Sequence, residues 1–135
     1  MITKRWPDKA KARSMTEAAI RGINFIETLQ VTEQNSPSVI REIYESFRML
    51  GDAVLTAKGL ETRGADHHNH MIDELLKLKV ETAKPLNLLH ELRKARHKIN
   101  YEGHLPTKAE LDYLLGIKKA LGAPVLAEVK KLIEK

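Results

Sequence analysis

Between Ile40 and Ala57 the apolar residues recur at intervals of three and four: Ile40, Ile43, Phe47, Leu50, Val54 and Ala57. On a helix this spacing gathers all six side chains on one face for more than two heptads. On a strand it would scatter them over both faces. The segment must therefore be a helix, and its apolar stripe must be covered by other elements that also bury one face.

Its neighbours carry the same period. Met15, Ala19, Gly22, Ile26 and Leu29 step by four, three, four and three, and "VTEQNSP" then breaks the pattern. Ser36 followed by Pro37 reads as a cap and first-turn proline for the central helix, which should close near Gly59. Asp66 is a candidate cap for a third helix carrying Met71, Ile72, Leu75, Leu76 and Leu78. A fourth helix runs from about Pro85 to Gly103, where glycine can supply the left-handed residue that ends a helix. Thr107 and Glu110 have the spacing of a capping box and open the fifth, with Leu111, Leu114, Ile117 and Leu121 on its apolar face. Gly122-Ala123-Pro124 should kink or split that helix ahead of Val125, Val129 and Leu132. No segment reads as a strand. The expectation is an all-α, antiparallel up-and-down bundle of about five helices, forming a single domain over residues 1–135. Two long apolar stripes on so short a chain also suggest a homodimer.

Composition narrows the functional classes. There are no cysteines, so disulfides and thiolate metal sites are excluded. No apolar run approaches the ~20 residues that span a bilayer, and the basic start "MITKRWPDKAKAR" is not followed by a signal-type apolar stretch. The expected setting is cytoplasmic, away from membranes. Lysine and arginine number 23 against 18 acids, a net charge of +5, which suits a polyanionic partner such as RNA or a nucleotide. Aromatic residues make up only 4%, so contact with such a partner should rest on charge and shape.

The fourth helix carries the most informative irregularity. Projected at ~100° per residue from Leu92, the apolar residues Leu88, Leu89, Ala95 and Ile99 lie within about 60° on either side. Arg96 falls at roughly 40°, inside that apolar arc. Arg93, Arg96, His97 and Asn100 thus form a polar ridge that enters the core-facing side. A buried guanidinium must meet an acid, carbonyls, water or an anion. Two readings follow. Arg96 pairs with Glu42 or Glu45 of the central helix or reaches carbonyls at its own helix end, or the ridge lines a cleft or dimer interface that receives phosphate.

The stretch "RKARHKINYEG" on a penultimate long helix resembles the HEPN domain family (higher eukaryotes and prokaryotes nucleotide-binding). The resemblance extends to helix order and length over most of the chain, with its motif confined to Arg96 through about His104. It implies a helical bundle that dimerises so that two motifs face each other. Members are either metal-independent ribonucleases or non-catalytic partners, often of a small nucleotidyltransferase in toxin–antitoxin or defence pairs. The family pattern is an arginine, a polar residue directly after it, and a histidine after four to six intervening residues. Arg96 matches the arginine and His97 the polar residue. Tyr101 stands in the histidine slot, and His104 lies beyond it.

RNA cleavage by internal attack needs a base for the 2′-hydroxyl proton and a cation for the phosphorane charge. Arg96 suits the second task. A phenol is a poor base near neutrality, whereas His97 or His104 has the right chemistry for the first. The candidate catalytic residues are therefore Arg96, His97 and Tyr101, with His104 as substitute, and the candidate RNA- or nucleotide-binding residues are Arg93, Arg96 and Asn100. A purely structural module, in which the ridge only fastens a helical dimer, is the competing class.

Other features read more plainly. His67, His68 and His70 with Asp66 lack the three or four convergent ligands of a zinc site, and read as a polar loop and helix cap. No metal or organic cofactor is expected. Lys4, Arg5, Lys9, Lys11 and Arg13 read as a solvated helix start or loose arm, and Trp6 as a plug packed over helix ends. The Lys118-Lys119 and Lys130-Lys131 pairs should mark the outer face of the last helix. No phosphate-binding glycine loop and no nucleophile elbow is present.

Overall fold

The computed structural model describes residues 2–62 and 67–134, the side chains of residues 67–69 excepted. Five helices account for most of these residues: α1 (Lys9–Glu27), α2 (Ser36–Lys58), α3 (His67–Leu76), α4 (Leu89–Glu102) and α5 (Lys108–Glu134). They form the expected antiparallel all-α bundle. A 3-10 turn at Leu86–Leu88 leads into α4. Among the described residues no helix is long and apolar enough to cross a membrane.

The helix with the clearest period is the central one: α2 packs against each of the other four. Ile40, Ile43, Phe47, Leu50 and Val54 are all buried, as the stripe requires. Val39, Tyr44, Gly51 and Leu55 are buried as well, because α3 and α4 close over the flank that α1 and α5 leave open. One apolar cluster runs from Ala12 to Ile133 and draws residues from every helix. The α2–α3 contact is so close that a Cβ on Gly51 would lie 2.2 Å from the Met71 carbonyl oxygen. Glu74, 3% exposed, clamps the same pair by accepting from Lys58 Nζ at 2.5 Å and Lys77 Nζ at 3.1 Å.

Helix ends follow the local chemistry, with two adjustments. Gly59 and Gly103 close α2 and α4 with φ of 74° and 64°, a backbone region glycine reaches without strain. The Thr107 box is formed: Glu110 N donates to Thr107 Oγ1 at 3.2 Å and Thr107 N to Glu110 Oε1 at 3.4 Å. The cap of α2 is Asn35 rather than Ser36, since the Ser36 hydroxyl turns back to donate to the Glu33 carbonyl. Pro124 does not split α5. The missing hydrogen bond is outweighed by Val125, Val129 and Ile133, which continue the buried face of Leu114, Ile117 and Leu121. The Asp66 cap lies outside the described residues.

Three expectations are corrected outright. A small antiparallel sheet is present: β1 (Ile2–Lys4) pairs with β2 (Leu60–Thr62), in the register Ile2↔Thr62, Thr3↔Glu61 and Lys4↔Leu60. Strands this short show no alternation to read. They form because Gly59 reverses the chain and presents its carbonyl to Arg5 N at 2.7 Å. Trp6 is not a packing plug but stands 89% exposed. Lys118 does not mark the outer face. It is 8% exposed and ion-paired with Glu27 of α1, while Lys119, Lys130 and Lys131 are exposed as expected.

Candidate functional site

The ridge on α4 meets a matching stripe on α2. The two helices run antiparallel here, so Arg41 faces Asn100 and Tyr44 faces Arg96. Arg41 Nε donates to Asn100 Oδ1 at 2.6 Å, which fastens the C-terminal end of α4. One turn along, the Arg96 guanidinium carbon lies 5.5 Å from the centre of the Tyr44 ring. Tyr44 is fully buried. Burial pushes its hydroxyl up to about 12, against the opposing pull of the Arg96, Arg48 and Arg93 charges and with a further push from Glu45. Three guanidinium groups thus gather around one phenol.

Arg96 does not pair with Glu42 or Glu45. Glu45 is already taken by Arg48 on its own helix, with Nε at 2.9 Å and Nη2 at 2.8 Å from Oε2. The Glu42 carboxylate points instead toward α1, where a Cβ on Gly22 would meet its Oε1 at 2.4 Å. Arg96 stacks on Tyr44 because a ring face attracts the cation while leaving its N–H edges free. Arg48 is held further by donating Nη1 to Met71 Sδ at 3.3 Å.

Arg93 occupies the next turn. Together with Asp73, His90 and Lys94 it lines an open depression of about 420 Å³ between α3 and α4. Asp73 Oδ1 is 3.4 Å from His90 Nε2. His90 Nδ1 and Arg93 Nε are buried without a hydrogen-bond partner. Among the described residues no carboxylate lies within ion-pair distance of Arg93 or Arg96.

The other candidates separate from this cluster. His97 and Tyr101 form an exposed ring pair one turn apart, with centroids at 4.7 Å, and Tyr101 is 70% exposed. His104 sits at the α4–α5 corner with Nε2 2.8 Å from Glu110 Oε2. That contact holds the Glu110 carboxyl below the usual range, offset by partial burial and helped by Thr107 N. Arg93, Arg96 and Asn100 are therefore brought together on the α2 side of α4, while His97, Tyr101 and His104 are not. Of the histidine cluster, Asp66 and the His67 and His68 side chains lie outside the described residues. Among the described residues no three potential ligands converge.

Arg41, Tyr44 and Arg48 were missed in the sequence. The signal was present: they repeat the three-and-four step of the apolar stripe one position further on, and mirror the spacing of Arg93, Arg96 and Asn100. Chemically the arrangement is a cationic surface in which Glu45 is engaged by Arg48 and Asp73 lies against His90, and its guanidinium edges are suited to holding phosphate oxygens.

Compared with family models, with curated proteins and with solved structures, the chain finds no match.

Proposed function

We propose that this is a HEPN-like protein that binds RNA or nucleotide phosphate through Arg93 and Arg96. The observation that carries the reading is the uncompensated charge: two half-buried guanidinium groups that have no carboxylate in ion-pair distance among the described residues, with Arg93 lining an open depression. Leaving such groups partly desolvated and unpaired is costly, and an anion offsets the cost. Stacking on Tyr44 fixes Arg96 in place before a ligand arrives, which lowers the ordering cost of binding.

The same geometry supports binding ahead of cleavage. An internal attack needs a base beside the cation. Within the chain, His97 and Tyr101 face solvent as a pair and His104 is occupied by Glu110. The test is incubation of end-labelled single-stranded RNA in EDTA with wild type and Arg96→Ala, measuring retention on a filter and cleavage on a gel in parallel. The expected result is retention that falls with Arg96→Ala, without cleavage. EDTA-resistant cleavage that disappears in the variant replaces binding with ribonuclease activity. Equal retention by both proteins removes Arg96 from the site.

A further inference from the structure

Tryptophan is highly buried on average, yet the sole tryptophan here, Trp6, is 89% exposed. Its backbone is not a loose arm. Arg5 N donates to the Gly59 carbonyl at 2.7 Å and Asp8 N to the Thr56 carbonyl at 3.1 Å, so the chain is tied down on both sides of Trp6. The Arg5 guanidinium adds a bond to Thr56 Oγ1 at 2.7 Å. Pro7 restricts the preceding residue to extended conformations and lies against Gly59, where a Cβ would meet its ring nitrogen at 3.0 Å. The indole is thus displayed on an anchored strap at the end of α2.

The surroundings specify a charge. Exposure alternates along the strap: Ile2, Lys4 and Trp6 face out while Thr3 and Arg5 turn in. Lys9, Lys11 and Arg13 follow, all exposed. The one acid between residues 2 and 13, Asp8, has its carboxylate accepting from Lys11 N as the cap of α1. Lysine-rich surroundings are depleted from protein–protein interfaces, and the exposed start of α1 offers no apolar face to a bilayer. An aromatic face among lysines fits an unpaired base with its flanking phosphates.

We infer that Trp6, with Lys4 and Lys11, forms a stacking platform for single-stranded nucleic acid. Trp6 holds a base on its indole face, and the lysines track the backbone to either side. The platform is separate in sequence and in fold from Arg93 and Arg96 and does not rest on the reading of that site. Anchoring means little conformational freedom is lost on binding, so the stacking contribution is largely retained.

Being the only tryptophan, Trp6 reports on its own environment. The experiment titrates the intact protein with a uridine oligomer of about ten nucleotides, within the site sizes that single-strand binders cover. Selectively excited tryptophan emission is followed alongside the anisotropy of a labelled oligomer. The expected result is saturable quenching, an affinity at least about tenfold weaker in Trp6→Ala, and most of it kept in Trp6→Phe. The Arg93→Ala/Arg96→Ala double variant should still show the quenching, even if its total affinity falls. Quenching absent while the oligomer is bound overturns the platform, whether or not the arginine site stands. So does equal affinity in Trp6→Ala. A blue shift with anionic phospholipid vesicles and no response to the oligomer also overturns it, and assigns Trp6 to a membrane surface.

Discussion

Replacing Gly51 by alanine should destabilise the protein even though alanine is the better helix former. In an open helix the exchange gains roughly 0.5–1 kcal/mol from reduced backbone freedom in the unfolded chain. At Gly51 the new Cβ would lie 2.2 Å from the Met71 carbonyl oxygen and 2.8 Å from its carbon. Both atoms are backbone of α3, so relief requires moving the helix by about an ångström. Overpacking of this kind costs typically 1–3 kcal/mol and occasionally more, which leaves a net loss of about 2 kcal/mol or greater. Gly116 and Gly122 in α5 have nothing within 4 Å of a Cβ, so the same exchange there should be stabilising. Gly22 falls between, because its Cβ would meet Glu42 Oε1 and Ser46 Oγ, side-chain ends that can swing away. Urea denaturation of the four alanine variants gives the order directly. Gly51→Ala should unfold first and Gly22→Ala next, with Gly116→Ala and Gly122→Ala later than wild type. A Gly51→Ala protein as stable as Gly116→Ala refutes the close α2–α3 approach, and with it the seating of Met71 beneath Arg48.

The buried charges give three more tests. Burial alone would raise the Glu74 carboxyl, but hydrogen bonds from Lys58 and Lys77 override it and hold it below the usual range. Its contribution is therefore complete above the ordinary carboxylate range and lost as pH falls through the depressed value. Glu74→Gln should cost about 1–2 kcal/mol at neutral pH in urea melts, since Lys58 is half exposed and Lys77 more so, and the gap to wild type should close in acid. A gap that does not change with pH contradicts the clamp. Tyr44 holds its proton up to about 12 against an ordinary 10.0, so its share of stability is full below 10.0 and fades as pH rises toward 12. Alkaline difference absorbance should show a late tyrosine step coupled to unfolding, missing in Tyr44→Phe; its absence from wild type contradicts the buried placement. Glu27→Ala should destabilise more than Lys118→Met, because the first strands a buried ammonium and the second replaces it with an apolar side chain of similar length. The reverse order in thermal melts contradicts the burial of Lys118.

What could be read in advance followed from long periodicity. Ile40 through Ala57 announced the central helix because every turn repeats the same demand. Projection likewise placed Arg96 inside an apolar arc, where it is half-buried. What escaped notice depends on two elements meeting. Tyr44 belongs to the apolar period by size and to the polar ridge by chemistry, and only the facing of α2 and α4 shows which neighbour it serves. Glu45 offered a partner for Arg96, but Arg48 lies three residues away on the same helix and claims it. Strands of three residues carry no alternation, so β1 and β2 depended on Gly59 folding the chain back. Trp6 was misjudged for the opposite reason: its type predicts burial, and its anchored position holds it out. Lys118 looked like the partner of an exposed lysine pair, yet its turn of α5 faces Glu27 of α1.

The central claim is that Arg93 and Arg96 hold phosphate. Its most direct measurement is the salt dependence of single-stranded RNA binding by wild type and the Arg93→Ala/Arg96→Ala variant, with circular dichroism confirming equal helix content. Each phosphate released from contact lowers the slope of log K against log salt by about 0.7 for a single strand. The account predicts weaker binding by the variant and a slope smaller by about 1.4. Unchanged affinity and slope in the variant would contradict it, and would leave the two arginines as supports for Tyr44 and the α2–α4 contact.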